Sequence, residues 1–168
     1  YAQPNKELAL PKAAHAVLGY EWRFSPQWRL QAEGYYQHLY NVPIASEHAE
    51  GDYTQSVSAL NFDSGYSTDS LFSDGTGRNY GLEITAEKFF TDGWYALATA
   101  SLYRSLYTPR DGVERNTRYD GRYVFNVLGG KEWTVGKRQV NKLSMNLRLS
   151  NAGGNRVSPI DLAASQAE

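Results

Sequence analysis

Residues 28–40 read WRLQAEGYYQHLY, and this stretch decides the fold because its side chains alternate in character. From Trp28 to Tyr36, every second residue is apolar, aromatic or small, whereas the residues between them are mostly polar. A period of two places the two kinds of side chain on opposite faces of a β-strand. The stretch therefore predicts a strand whose two faces meet different surroundings.

The same alternation recurs in five further stretches, two of them with less contrast. These predicted strands cover residues 16–24, 80–90, 94–105, 122–133 and 141–150. In one of them, Gly129 and Gly130 weaken the strand and indicate a bulge or a close approach. A weaker pattern over residues 56–62 suggests a seventh strand. The sequence therefore predicts an all-β fold of six or seven antiparallel strands.

The connections between these strands alternate in length. Short turns lie at residues 24–27, at Asp92-Gly93 and at 134–140, whereas long polar stretches cover 41–76 and 108–121 and a third begins at Asn151. All four Trp residues lie beside short turns, and the opposite strand ends carry a second group of aromatic residues: Tyr35, Tyr36, Tyr40, Tyr103, Tyr107 and Tyr123. Short turns, long opposite loops and two aromatic bands are typical of a transmembrane β-barrel. Cross-strand aromatic pairing in a soluble sheet is the alternative.

Composition and charge restrict the function. With 17 Lys and Arg against 18 Asp and Glu, the net charge of −1 argues against nucleic-acid binding through bulk positive charge. The absence of Cys excludes a disulfide framework, a thiolate zinc site and a Cys nucleophile. No apolar run is long enough for a transmembrane helix, but a transmembrane strand needs only about 9–11 residues. No signal peptide is recognisable, so we expect either a processed chain or an internal segment.

The charged residues divide between the two predicted faces. Lys88 and Arg104 are exceptions on the presumed lipid face, and both lie near its borders, where long side chains can reach lipid headgroups. Glu33, Glu83 and Glu87 fall on the other face, which we expect to line a wet lumen.

The residues that could carry catalysis do not form a recognisable site. His15, His38 and His48 lack the spacing of metal ligands, and His38 near Tyr40 fits an aromatic band better than catalysis. The chain has no nucleophile elbow. We therefore expect no enzymatic activity, no metal and no cofactor, and the ligand-binding residues remain unknown.

Two loop motifs have a weaker chemical interpretation. Asp63, Asp69 and Asp74 lie in a Ser- and Gly-rich stretch that could bind calcium, although their spacing matches no EF-hand. Gly75-Thr-Gly77 lacks the Lys and Ser or Thr of a phosphate loop, so it predicts a turn.

Arginine and acidic residues alternate around the second long loop: Arg110, Asp111, Glu114, Arg115, Arg118, Asp120 and Arg122. We expect local ion pairs and contacts with anionic lipid headgroups. Capture of an anionic ligand by the forked arginine donors is the weaker alternative.

Four stretches resemble the C-terminal half of TonB-dependent outer-membrane receptors of the Bacteroidetes type. In chain order they are residues 15–20 with RLQAEGYYQHLYNVPI at 29–44, GTGRNYGLEITAEKFFTDGWY at 75–95, DGVERNTRYDGRYVFNVLGGKEW at 111–133, and the tail at 153–162. The resemblance implies that residues 1–168 are one fragment of a roughly 22-stranded barrel, without its plug and remaining strands.

The resemblance also implies a function and partners. It indicates a wall segment of a receptor in the Gram-negative outer membrane that imports a scarce nutrient, such as an iron chelate, corrinoid, glycan or peptide. The expected partners are outer-membrane lipid, the rest of the barrel with its plug, the TonB complex acting on the parent protein, and an unknown transported ligand. A soluble lipocalin-like barrel is the alternative, and a barrel-embedded hydrolase is a third class.

Overall fold

The computed structural model describes residues 5–45, 57–61 and 70–156. The described chain forms one antiparallel sheet, which is not closed, and this confirms the predicted all-β class. Its strands are β1 (Lys12–Ser25), β2 (Trp28–Ala45), β3 (Leu71–Thr91), β4 (Trp94–Thr108), β5 (Arg115–Asn116), β6 (Tyr123–Val135) and β7 (Asn141–Ala152). The spatial order is β1-β2-β3-β4-β6-β7, and the short β5 pairs with β4.

The six predicted strands are confirmed, and several are longer than predicted at the ends that face the long loops. β2 continues to Ala45 and β3 begins at Leu71. The register shifts between Leu39 and Ile44, and Asn41 has a φ of 56°. A bulge of this kind breaks the period of two, which is why the alternation stops before the strand does.

The prediction of a seventh strand over residues 56–62 is wrong for the described part, residues 57–61. Ser58 makes a single bridge to Ile44, and Ala59–Asn61 form one 3-10 turn. The seventh strand is instead Arg115–Asn116, inside the segment that the sequence predicts as a loop.

The short turns all lie at one end of the sheet. Thr91 pairs with Trp94, so Asp92 and Gly93 form a two-residue hairpin loop with φ angles of 52° and 74°. Positive φ at both central positions defines a type I′ turn, whose twist matches the flanking strands and which favours Asp-Gly. The described strand ends that border the long connections lie at the opposite end, as the alternating loop lengths predict.

The register gives the two faces of the sheet different chemical characters in their central rows. Cross-strand partners share a face, and one row across five strands reads Tyr20, Ala32, Ile84, Ala100 and Phe125. The adjacent row, on the other face, reads Glu21, Gln31, Thr85, Thr99 and Asn126. We call these the apolar face and the polar face.

The apolar face is largely uncovered in the described structure. Leu82, Ile84 and Leu147 expose 44%, 40% and 69% of their surface. The buried apolar residues collect instead at the long-loop end of the sheet: Val42, Ile44, Ala45, Leu106 and Tyr107. Within the described residues, no helix has the length and hydropathy needed to cross a membrane.

Four glycines make room for neighbouring side chains within the strands. Gly75 and Gly77 lie inside β3, so the predicted turn is wrong there. Side chains at these positions would collide with Ile44 and Leu60.

Two tyrosine rings of the polar face also cover strand glycines: the Tyr35 ring covers Gly81 and the Tyr95 ring covers Gly130. β6 pairs with both neighbours without a register shift, so the bulge predicted at Gly129-Gly130 is wrong. The Tyr95 ring over Gly130 confirms the close approach that was the other prediction.

We predict that Gly81→Val lowers the free energy of unfolding by about 1–3 kcal/mol, the usual cost of overpacking. The new side chain would meet the Tyr35 hydroxyl and the Leu102 carbonyl, both 2.8 Å or less from a Cβ at this position. Urea unfolding of the full-length protein, followed by tryptophan fluorescence, measures the effect. Gly34→Ala is the control, because nothing lies within 4 Å of a Cβ there; equal destabilisation by both substitutions would contradict the close approach.

Candidate functional site

A groove on the polar face lies toward the long-loop end of the sheet. Its volume is about 420 Å³, and its lining residues include His15, Glu33, Tyr35, Gln37, Asn79, Tyr103 and Tyr119. The register brings His15, Gln37 and Asn79 into one row, in which the Asn79 amide donates to Gln37 Oε1 at 2.8 Å. Amide groups beside tyrosine rings can contact a polar ligand. We call this the polar groove.

The histidines and Ser105 do not form a catalytic arrangement in the described structure. The His15 ring meets the edge of the Tyr35 ring at 6.2 Å, and His38 stacks on Tyr40 at 6.2 Å. The Ser105 hydroxyl accepts from the Thr117 hydroxyl at 2.8 Å, and a threonine hydroxyl is not a general base. His48 lies outside the described residues.

Carboxylates line the polar face below this groove. Glu33 and Glu83 are direct cross-strand partners, and the Ser101 hydroxyl donates to Glu83 Oε1 at 3.3 Å. Toward the short turns, the Glu87 carboxylate instead pairs with Arg29 at 2.6 Å. Two like charges opposite each other destabilise a sheet unless they are hydrated, so this face is suited to contact with water.

The calcium alternative stays a prediction. Asp74 lies in β3, whereas Asp63 and Asp69 lie outside the described residues. Among the described residues, no group of three or more His, Asp or Glu side chains could hold a metal ion.

The Asp120 carboxylate organises the long-loop end of β4, and its side chain is completely buried, with 0% exposure. It accepts from Arg104 Nε at 3.2 Å, from Arg156 Nε at 3.3 Å and from the Ser105 backbone amide at 3.0 Å. Arg122 Nε lies 3.9 Å away. We call these four side chains the Asp120 cluster; it confirms the local ion pairs predicted for this loop.

Two further ion pairs fix the same loop. Arg115 makes a forked contact with Asp111, at 2.6 and 2.8 Å, and Arg78 on β3 reaches Glu114 at 2.7 Å. The hydrogen bonds from the Arg115 guanidinium, together with one from the Val113 amide, hold the pKa of Asp111 below its ordinary value of 3.8. Arg110 and Arg118 also have partners.

Two lysines of the apolar face, Lys88 and Lys131, donate hydrogen bonds to backbone carbonyl groups. Lys88 is 4% exposed, and its ammonium donates to three carbonyl groups, of Phe89, Thr91 and Trp94, at 3.1–3.3 Å. It also lies 4.0 Å from the centre of the Trp94 ring. Lys131, which the sequence analysis missed, donates to the Asp92 carbonyl at 3.0 Å. Both lysines therefore bind the Asp92-Gly93 turn, instead of extending away from it.

Aromatic residues border the apolar face at both ends. At the short turns, Trp28 contacts Phe24 and Trp94 with ring centres 6.1 Å apart in each pair. At the long-loop end, the register places Tyr36 opposite Tyr80, a residue that the predicted band omitted. The prediction for that band is partly wrong, because the register places three of its six tyrosines on the polar face: Tyr35, Tyr103 and Tyr107.

Comparisons with known proteins return no relative. No protein-family model matches this chain, no curated protein matches its sequence, and no solved structure matches its fold. Its function is therefore inferred from the chemistry of its two faces.

We predict that Asp120→Asn loosens the loop over residues 109–122. Loss of charge-assisted hydrogen bonds from arginine costs about 1.5–3 kcal/mol, which corresponds to at least a tenfold increase in loop opening. Limited digestion with trypsin, followed by mass spectrometry, measures cleavage after Arg110, Arg115 and Arg118. Asp111→Asn in the same loop is the control and should accelerate cleavage less, because its ion pair is more exposed. Equal rates in the two variants would refute the central role of Asp120.

The lowered pKa of Asp111 predicts a pH dependence for the same loop. A carboxyl group with a lowered folded-state pKa contributes stability above its unfolded pKa and loses it as the pH falls through the folded value. We therefore expect protection of the Val113 amide, which donates to Asp111 at 2.9 Å, to persist below pH 3.8 and then decline. Hydrogen exchange between pH 5 and pH 2 measures this step, which Asp111→Asn should abolish. A step at pH 3.8 or above in the unmodified protein would contradict the ion pair.

Proposed function

We propose that this chain is a wall segment of an outer-membrane transport barrel of the TonB-dependent receptor type, which admits a scarce nutrient. The observation that carries this proposal is the two-faced sheet: its apolar face is uncovered and lies between two aromatic bands. Tryptophan and tyrosine rings are most stable at membrane–water interfaces, where one edge is wet and the other dry.

The distance between the aromatic bands supports the proposal. Trp28 and Tyr36 are eight residues apart on β2, as are Lys88 and Tyr80 on β3. Eight residues extend over about 27 Å at about 3.4 Å per residue, or about 21 Å along the membrane normal for a strand tilted by about 40°. The apolar band of outer-membrane barrels is about 25 Å tall, so the two dimensions agree.

The positions of the charged residues also support an apolar face that is turned toward lipid. Between the bands, the central rows of the apolar face carry Leu, Ile, Ala, Val and Phe, whereas Lys88 and Lys131 lie beside the short turn. A Lys at the bilayer midplane costs about 2–4 kcal/mol, but far less near the interface. Both lysines therefore occupy the region where the membrane tolerates them.

The open edges of the sheet support a larger barrel. β1 and β7 each pair with one neighbouring strand in the described structure, which leaves a row of backbone donors and acceptors along each outer edge. Unsatisfied backbone groups cost several kcal/mol each in lipid, and only closure removes them. Further strands of the same barrel would satisfy these groups; the plug and the coupling to TonB follow from the resemblance alone.

The polar groove is the candidate contact for the transported nutrient. It combines tyrosine rings with amide and carboxylate groups on the face that would line the lumen. Loops and strand ends on a rigid scaffold are common places for recognition. The candidate nutrients are an iron chelate, a corrinoid, a glycan or a peptide.

A soluble lipocalin-like barrel is the competing function, and the apolar face separates the two. A lipocalin closes eight strands around an apolar interior. In the described sheet, Ile84 and Leu147 are 40% and 69% exposed and do not meet in a sealed core. This exposure favours the membrane over the soluble barrel.

Adjacent residues of β3 provide the test. Because this chain contains no Cys, Ile84→Cys and Thr85→Cys can each carry a single fluorescent label on opposite faces, in a cysteine-free full-length protein. In phosphatidylcholine vesicles, we expect nitroxide-labelled lipid to quench the label at residue 84 and aqueous iodide to quench the label at 85. Iodide quenching at both positions, or at residue 84 alone, would refute the membrane-facing sheet.

A further inference from the structure

The Asp120 cluster carries more positive charge than its buried carboxylate neutralises. Three guanidinium groups, of Arg104, Arg122 and Arg156, share the single Asp120 carboxylate. Arg104 also donates to Asn116 Oδ1 at 2.7 Å, but that partner is neutral. Within the described residues, the cluster therefore holds three positive charges against one carboxylate, and the arginine side chains remain 37–59% exposed.

A groove connects this charge to the apolar face. Its volume is about 440 Å³, and its lining includes Arg104 and Arg122 together with Tyr80, Leu82 and Leu102. The register pairs Tyr80 with Arg104 and Leu82 with Leu102, so these four side chains share the apolar face. The groove therefore has two arginines at one end and aliphatic side chains at the other, beside the aromatic band of the long-loop end.

We propose that this groove binds an anionic membrane lipid, with the phosphate group at Arg104 and Arg122 and an acyl chain along Leu82 and Leu102. Forked guanidinium donors match phosphate oxygens, and Asp120 holds Arg104 in place before the lipid arrives. The aliphatic end offers contact that a free phosphate ion cannot use. This inference rests on the proposed membrane location of the apolar face, to which it adds the headgroup chemistry.

The test compares lipids and arginine variants of the full-length protein in detergent. Delipidated protein is titrated with fluorescent phosphatidylglycerol and with fluorescent phosphatidylcholine. We expect tighter binding of phosphatidylglycerol, and Arg122→Gln should weaken it about fivefold, since one arginine near an anionic lipid contributes about 1 kcal/mol. Binding of phosphatidylcholine should not change.

Two control variants isolate the role of Arg122. Arg138→Gln removes another exposed arginine from the β6–β7 turn, at the opposite end of the sheet, and should not change either titration. Arg122→Lys keeps the charge and should keep most of the selectivity. Because Arg122 Nε lies 3.9 Å from Asp120 and its side chain is 59% exposed, Arg122→Gln should remain folded, which circular dichroism checks.

Three results would overturn the proposal: equal binding of the two lipids, unchanged binding in Arg122→Gln, or displacement of phosphatidylglycerol by inorganic phosphate at equal concentration. The last result would mean that the groove recognises a free anion only. The labels at residues 84 and 85 report separately on the membrane location. Lipid quenching at residue 84 without lipid selectivity would therefore refute the headgroup site alone, whereas iodide quenching at residue 84 would refute the proposed function as well.

Discussion

The rest of the structure depends on one geometric constraint: residues that pair across strands share a face of the sheet. A slip of one residue in any pairing would move a whole strand's side chains to the opposite face. In this sheet the register runs without interruption through the central rows of five of the six long strands, from Tyr20 to Phe125 on one face and from Glu21 to Asn126 on the other. Two chemically distinct surfaces follow from that continuity.

The two ends of the sheet are stabilised in different ways. At the short turns, a type I′ loop connects β3 and β4. The Lys88 ammonium donates to the Thr91 carbonyl of this turn and lies against the Trp94 ring. At the other end, apolar packing around Val42 and Leu106 combines with the buried Asp120 carboxylate. The sheet therefore has packed, hydrogen-bonded ends and an uncovered apolar middle, a distribution that suits a wall between water and lipid.

The glycines and tyrosines of the polar face link packing to function. The Tyr35 ring covers Gly81 and lines the polar groove. The same arrangement recurs with Tyr95 and Gly130, where the Tyr95 hydroxyl also donates to Asn146 Oδ1 at 3.0 Å. A ring that covers a strand glycine shields the backbone, so these tyrosines are part of the surface of the polar face.

The sequence by itself determined the six long strands, their antiparallel order and the character of each face, because alternation and short turns act between near neighbours in the chain. It did not determine the extended strand ends or the strand at Arg115–Asn116, since bulges and a single pairing to β4 leave no periodic signal. Only the tertiary structure decided that the Lys88 ammonium binds carbonyl groups beside the Asp92-Gly93 turn and that Leu60 packs against Gly77. It also decided that Asp120 accepts hydrogen bonds from Arg104 and Arg156. The Lys88 contacts are local in sequence but need the β3–β4 hairpin to be in register. The other contacts join residues that are distant in sequence, so their geometry is fixed only when the neighbouring strands are paired.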